Sequence, residues 1–258
     1  MNSYFEPYNG EELPSCPLCG CSLWQITRDG KRKFRVLCDC EREKSDKEET
    51  KALQVKESAK IERNRKNAFL YDVLDKKTFS NSDARYGAKQ QDLCERYARK
   101  FIKTAGKIKT GLLLYGSVGG GKTFLSAAVA NEVINAGHTV IMRSMPKIMA
   151  EYRLNSGSDL LQQLESCELL ILDDLGAERD TSYGQELVYN IIDGRYSAEK
   201  PMIISTNLTL EQMHNTGNMM YDRTYDRILE CCFPIKCDTG RKRVEKNTYE
   251  IMKKELFS

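Results

Sequence analysis

Residues 111–123 read GLLLYGSVGGGKT. Leu112, Leu113 and Leu114 form an apolar run with no polar alternation, the composition of a strand buried on both faces. It opens directly into a turn containing Gly116, Gly119, Gly120 and Gly121, and then Lys122 and Thr123. The stretch TFLSAAVANEVINAG follows, a helical pattern with Gly137 as its natural C-terminal cap. A glycine-rich turn between a buried strand and a helix lets backbone N–H groups curl inward onto an anion, and the helix adds its positive N-terminal end. GSVGGGKT fits G-x-x-x-x-G-K-[ST], so the junction predicts a nucleotide phosphate cradle. Gly116, Ser117, Val118, Gly119, Gly120, Gly121, Lys122, Thr123 and Phe124 are its expected cofactor-binding set. Lys122 would reach the β- and γ-phosphates, and the Thr123 hydroxyl would bind Mg²⁺.

Downstream of this junction, strands and helices alternate. HTVIMRS, ELLILDDL, PMIISTN and FPIKCD read as strands, separated by the helical stretches PKIMAEYRL, SDLLQQLES, SYGQELVYNIIDGRYSA and YDRTYDRILECC. Continuous apolar strands joined through helices predict an α/β fold, a parallel sheet covered by helices on both faces. In such a sheet ligands sit at the carboxyl ends of the strands. LLILDD delivers Asp173 and Asp174 there. Asp173 suits the Mg²⁺ shell, Asp174 suits an attacking water, and Glu178 can share the base role. PMIISTN brings Ser205, Thr206 and Asn207 to the same edge, with Asn207 placed to hold a water against the γ-phosphate. Arg223 and Arg227 follow at i, i+4 on one helix. Their neighbours Asp222 and Asp226 leave room for ordinary surface ion pairing. The alternative is an arginine presented to the γ-phosphate of a neighbouring subunit.

Upstream the chain has a different character. Residues 1–13 read as a loose tail. Between Cys16 and Cys40 lie five of the ten cysteines, in CPLCGC and CDC, while Cys94, Cys167, Cys231, Cys232 and Cys237 are scattered in mostly apolar settings as buried thiols. Cys16-x-x-Cys19 has knuckle spacing for zinc. With the tighter Cys38-x-Cys40 it makes a four-thiolate Zn²⁺ site, leaving Cys21 spare. SLWQITRDGKRKFRVL between them reads as a hairpin turning at Asp29-Gly30, carrying Arg28, Lys31, Arg32, Lys33 and Arg35. Residues 41–66 interleave both charge signs with no wide apolar face, a solvated helix. The expected domains are a Cys-rich zinc module over 1–40, a charged helical linker over 41–78 and an ATPase domain over 79–258. The 258 residues carry a net charge of only +3, so basic surface must be local. No apolar run is long enough to span a membrane, and the first ten residues lack the basic and apolar regions of a signal peptide. The cytoplasm is the expected compartment. Neither His138 nor His214 lies near the cysteines in sequence, and neither is given a role.

The order of phosphate loop, ILDDLGAE, ISTN and R-x-x-x-R-I resembles the AAA+ ATPases, over roughly residues 67–245. Within them LLILDDLGAE and ISTNLT are similar to the bacterial helicase loaders of the DnaC and DnaI kind and the transposon helper ATPases of the IstB kind. The resemblance implies that Asn207 is the sensor-1 residue and Arg227 the arginine finger, with Arg223 in support. Arg241 and Arg243 are then candidates for sensor 2. A small N-terminal Cys-rich module ahead of a linker resembles the DnaI-like layout, in which that module docks on the helicase. The expected function is an ATP-dependent loader of the replicative helicase hexamer. It would self-associate through its AAA+ interfaces and bind single-stranded DNA, with Lys147 and Arg153 as exposed candidates for DNA contact. The alternative is a transposition helper that acts with a transposase on duplex DNA.

Overall fold

The computed structural model describes residues 5–69, 72–81, 87–154, 157–176, 182–214 and 216–238. The chain divides into two compact units, Met1–Ala59 and Lys60–Ser258.

The first unit holds a small antiparallel sheet of β1 (Glu6–Pro7), β2 (Trp24–Ile26) and β3 (Arg32–Arg35), in the order β1-β3-β2. The expected hairpin joins β2 to β3. Thr27 N–H donates to Arg32 O and Gly30 N–H to Thr27 O, each at 2.8 Å. Gly30 takes φ 69°, the left-handed conformation that an Asp-Gly turn supplies. The tail is not loose throughout. Glu6 and Pro7 pair with Lys33 and Arg32, and the Phe5 ring meets Phe34 at 5.5 Å. A two-residue strand is too short to leave a periodic signal in the sequence. Helix α1 (Asp39–Ala68) follows, thirty residues whose buried positions are Asn64 and Ala68 alone among those described. Pairs such as Glu43–Lys47 at 3.6 Å lie along its surface, as i, i+4 spacing dictates.

The second unit begins within α1, at Lys60. There Asn64 Nδ2 donates to Gly137 O at 3.2 Å and His138 O at 3.1 Å, and an Arg65 NH group to Asn131 Oδ1 at 2.9 Å. The segment read as a linker over 41–78 therefore crosses from one unit into the other. Short α2 (Asp72–Asp75) and a 3-10 turn over Phe79–Asn81 lead to α3 (Ala88–Lys103). Then come β4 (Gly111–Tyr115), α4 (Lys122–Asn135), β5 (Val140–Ser144), α5 (Met145–Leu154), α6 (Gly157–Ser166) and β6 (Leu169–Leu175). They are followed by α7 (Ser182–Ser197), β7 (Met202–Thr206), α8 (Leu210–His214), α9 (Met219–Cys231) and β8 (Cys232–Lys236). The strands form one parallel sheet in the order β5-β6-β7-β4-β8. The α/β fold read from the sequence is the one observed.

The core follows from the period of two. Leu112, Leu114, Leu169, Ile171 and Ile203 face one side, against α3 and α4. Leu113, Leu170, Leu172, Met202 and Ile204 face the other, against α5, α6, α7 and α9. Each fully buried aliphatic side chain contributes about 1.5–3 kcal/mol. Small residues on α4 (Ser126, Ala127, Ala128 and Ala130, all fully buried) let that helix press close to the sheet. At the amino end of the sheet, Arg195 of α7 is also fully buried. Its guanidinium donates to Leu164 O, Glu165 O, Cys167 O, Glu168 O and Pro201 O. These hydrogen bonds fasten the end of α6 to the loops on either side.

Candidate functional site

The phosphate loop lies between β4 and α4, at the carboxyl edge of the sheet. Gly116, Gly119 and Gly121 take φ values of 131°, 89° and 84°. Gly120 is needed for a different reason: a Cβ there would stand 1.9 Å from Cys237 O. Lys122, the first residue of α4, curls back into the loop. Its ammonium donates to Gly116 O at 2.8 Å, Ser117 O at 2.9 Å and Asn207 Oδ1 at 2.8 Å. Burial pulls its pKa below the ordinary lysine value. The next residue, Thr123, donates its hydroxyl to both oxygens of Asp173, at 3.1 and 3.0 Å.

Asp173 and Asp174 sit on a β-bulge. Leu172 pairs with Ile204 and Leu175 with Thr206, so two residues of β6 oppose the single residue Ser205 of β7. Asp174 takes φ 55°, the left-handed conformation that costs a non-glycine residue and clusters at functional sites. Ser205 spans the bulge. Its Oγ accepts from Asp174 N–H at 2.9 Å and donates to Asp173 Oδ1 at 2.5 Å. Burial raises the pKa of Asp173, while the Ser205 and Thr123 hydroxyls oppose that rise. The sequence placed Ser205 at this edge but gave no sign of the bulge it bridges.

The residues fit a nucleoside triphosphate with its metal. Lys122 is held by carbonyl and amide oxygens that phosphate oxygens can replace. The loop presents backbone N–H groups beside a fourteen-residue helix start. Thr123 and Asp173 offer adjacent hard oxygen ligands of the kind Mg²⁺ takes. Among the sequence-expected residues, the structure brings together the loop, Lys122, Thr123, Asp173, Asp174 and Asn207. Phe124 lies partly buried on α4, with Lys77 Nζ 5.9 Å from its ring centroid. Val118 is exposed in the loop.

Arg227 is placed differently from the simple surface pairing that Asp222 and Asp226 suggested. Its guanidinium pairs with Asp193 of α7, and lies 4.7 Å from the Tyr189 ring centroid and 5.7 Å from that of Tyr196. Asp226, one residue away on the helix, points to solvent, because i and i+1 do not share a face. Asp222 instead accepts from Thr216. The sequence did carry a signal for the real partners, since Tyr189, Asp193 and Tyr196 recur at helical spacing along α7. Arg223 is exposed, as are Lys147 and Arg153 on α5, and the Arg153 guanidinium stands 5.7 Å from the Tyr183 ring. Glu178, Arg241 and Arg243 lie outside the described residues.

In the first unit the sulfurs of Cys16, Cys19, Cys38 and Cys40 all lie within 4.8 Å of one another. Cys40 Sγ stands 3.4 Å from Cys16 Sγ, 3.0 Å from Cys38 Sγ and 3.5 Å from Cys19 Sγ. Four thiolates around zinc at ~2.3 Å leave sulfurs roughly 3.8 Å apart, so the cluster needs only a slight expansion to hold the ion. The N–H of Cys21 brings the Cys19 thiol down to about 6, while the three neighbouring sulfurs push Cys40 up. Four thiolates this close would repel one another unless a cation stood between them. Cys21 stays outside the set, 3.9 Å from an oxygen of Asp39.

Comparison with known proteins gives the family. The family described as IstB-like ATP binding protein matches residues 41–248. Replicative helicase loader DnaC of Escherichia coli (strain K12) is 28% identical over 137 residues, 51% of this chain and 55% of that protein. Replicative helicase loader DnaI of Bacillus subtilis (strain 168) is 29% identical over 165 residues, 57% of this chain and 53% of that protein. The chain therefore spans about half the length of the curated relatives it matches. A crystal structure of DnaI superposes with a TM-score of 0.59 at 25% identity, covering 70% of this chain and 100% of that one. No helix among the described residues is long and apolar enough to cross a membrane. With its parallel sheet and AAA+ fold, the chain belongs to the IstB-like ATP-binding protein family.

Proposed function

We propose that this protein is an ATP-hydrolysing loader of a replicative DNA helicase. The observation that carries the ATP reading is the convergence of Lys122, Thr123, Asp173 and Asn207 on the mouth of the phosphate loop. In this reading Lys122 exchanges Gly116 O, Ser117 O and Asn207 Oδ1 for the β- and γ-phosphates. Asn207, released from the ammonium, orients a water against the γ-phosphate. Asp174 takes the proton of that water, from a position fixed by its left-handed backbone and the Ser205 hydroxyl. Thr123 and Asp173 hold Mg²⁺, which when bound neutralises charge on the phosphate oxygens. Arg227 serves a neighbouring subunit's γ-phosphate once it leaves Asp193, with Arg223 in support. ATP acts as a switch, and chemistry stops at phosphoryl transfer to water.

The loader half rests on the relatives that carry that name and on the layout of the chain. Zinc on Cys16, Cys19, Cys38 and Cys40 shapes the N-terminal module, which holds the helicase hexamer. The AAA+ domain self-associates and engages single-stranded DNA. A second reading, a transposition helper acting with a transposase on duplex DNA, is favoured by the IstB-like character of the family match.

Native mass spectrometry of the protein mixed with the replicative helicase from the same source, with and without ATP, separates the two. A complex with the helicase hexamer, lost when Cys16 and Cys19 are replaced by serine, is the expected result. No complex in either condition overturns the loader reading and turns attention to duplex DNA and a transposase.

A further inference from the structure

The chain does not leave the sheet where β8 ends. Cys237 N–H donates to Tyr115 O at 2.7 Å, so the backbone follows β4 to the point where it turns into the phosphate loop. The Cys237 carbonyl then lies against the loop. It would meet a Cβ on Gly120 at 1.9 Å and one on Gly116 at 3.0 Å. Asp238 comes next. Its Oδ1 accepts from Ser117 N–H at 3.1 Å, and its Oδ2 lies 3.1 Å from Lys236 Nζ. The Ser117 hydroxyl, then the Lys236 ammonium and the Ser117 N–H, bring its pKa down to about 2. Tyr115, Gly116, Ser117, Lys236 and Asp238 wall a cleft of about 430 Å³ that reaches Asn207.

The first turn of the loop is thus gripped from two sides. Inside, Lys122 binds the carbonyls of Gly116 and Ser117. Outside, Asp238 binds the Ser117 amide. A triphosphate that draws Lys122 away dissolves the inner grip and leaves the outer one. A carboxylate beside a phosphate site opposes the ligand by charge, so its presence there calls for a purpose other than binding.

We infer that Asp238 is a positioning residue for the nucleotide loop. Its carboxylate holds Ser117 N–H over a floor made by the Cys237 backbone. It keeps the first turn in shape when Lys122 turns to the phosphates. This rests on the ATP reading above.

The test is equilibrium binding and steady-state hydrolysis of Mg·ATP by the full-length protein, D238A and D238N, with thermal melts of each in the absence of nucleotide. D238A should bind ATP about tenfold more weakly, the scale of one lost hydrogen bond to a charged group. Its kcat at saturating ATP should stay within about twofold, and its melting temperature within roughly 2 °C, since the Asp238 side chain is 44% exposed. D238N keeps an acceptor oxygen for Ser117 N–H and should recover affinity to within about threefold of wild type. Wild-type affinity in D238A overturns the inference. So does a D238N as weak as D238A, or a loss of affinity accompanied by a matching loss of thermal stability. A wild-type protein that binds no ATP defeats the ATP reading itself, before any variant is compared.

Discussion

The two units of this chain solve the same problem by opposite means. In Met1–Ala59 the described residues bury only two side chains, Cys16 and Cys38. In Lys60–Ser258 two apolar layers enclose a five-stranded sheet. A segment as small as the first cannot offset its conformational entropy by apolar burial, and an ion held by its four clustered sulfurs would be the substitute. The second has burial to spare and can tolerate strained backbone at Asp174 and a buried guanidinium at Arg195. On the zinc reading proposed above, one unit would be stabilised by a ligand, the other by its own core.

The largest expected effect is that of removing any metal held by the four cysteines. Chelation, or replacement of Cys16 and Cys19 by serine, should unfold the first unit, because structural zinc in such modules is worth about 10 kcal/mol or more. Amide NMR would show the β2–β3 hairpin signals collapse into the random-coil region. ATP binding should stay within about twofold, and a parallel loss of ATP binding would refute the independence of the two units. Next in size is Arg195→Met in the second unit. It removes a charged donor from five carbonyl oxygens, of which Glu165 O keeps Lys200 Nζ and Leu164 O keeps the Cys167 thiol, and should cost about 3 kcal/mol, a fall in Tm of roughly 6–12 °C by calorimetry. The zinc content should not change. The smallest stability effect belongs to Ser205→Ala, about 1 kcal/mol or less. Its kcat for ATP should drop about tenfold as Asp173 and Asp174 lose their common partner. A kcat equal to wild type would show that the bulge holds the carboxylates without Ser205.

What the sequence disclosed follows the same division. The parallel strands are legible because burial on both faces makes them continuous apolar runs, and the glycine-rich loop is legible because few residues fit its backbone. The four-cysteine set could be chosen from spacing, with Cys21 left aside. Features that depend on two distant segments were not legible. The bulge at Asp173 and Asp174 exists only in register with Ser205. Arg195 looks like a surface residue near the end of a helix until α6 delivers its carbonyls. Arg227 has acids beside it in sequence, yet finds Asp193 and two tyrosines on another helix. Asp238 shows its place only when β8 is laid beside β4. Each of these is a side chain whose role is set by a partner 28 or more residues away.

In the function proposed above, the loop between β4 and α4 binds ATP through Lys122, together with Thr123, Asp173 and Asn207. Calorimetric titration of Mg·ATP into the full-length protein and into K122A tests it most directly. Saturable binding by the wild type, weakened about a hundredfold or more in K122A while the melting temperature of the nucleotide-free protein holds, is the predicted result. Equal binding by the two proteins, or none by the wild type, would contradict it.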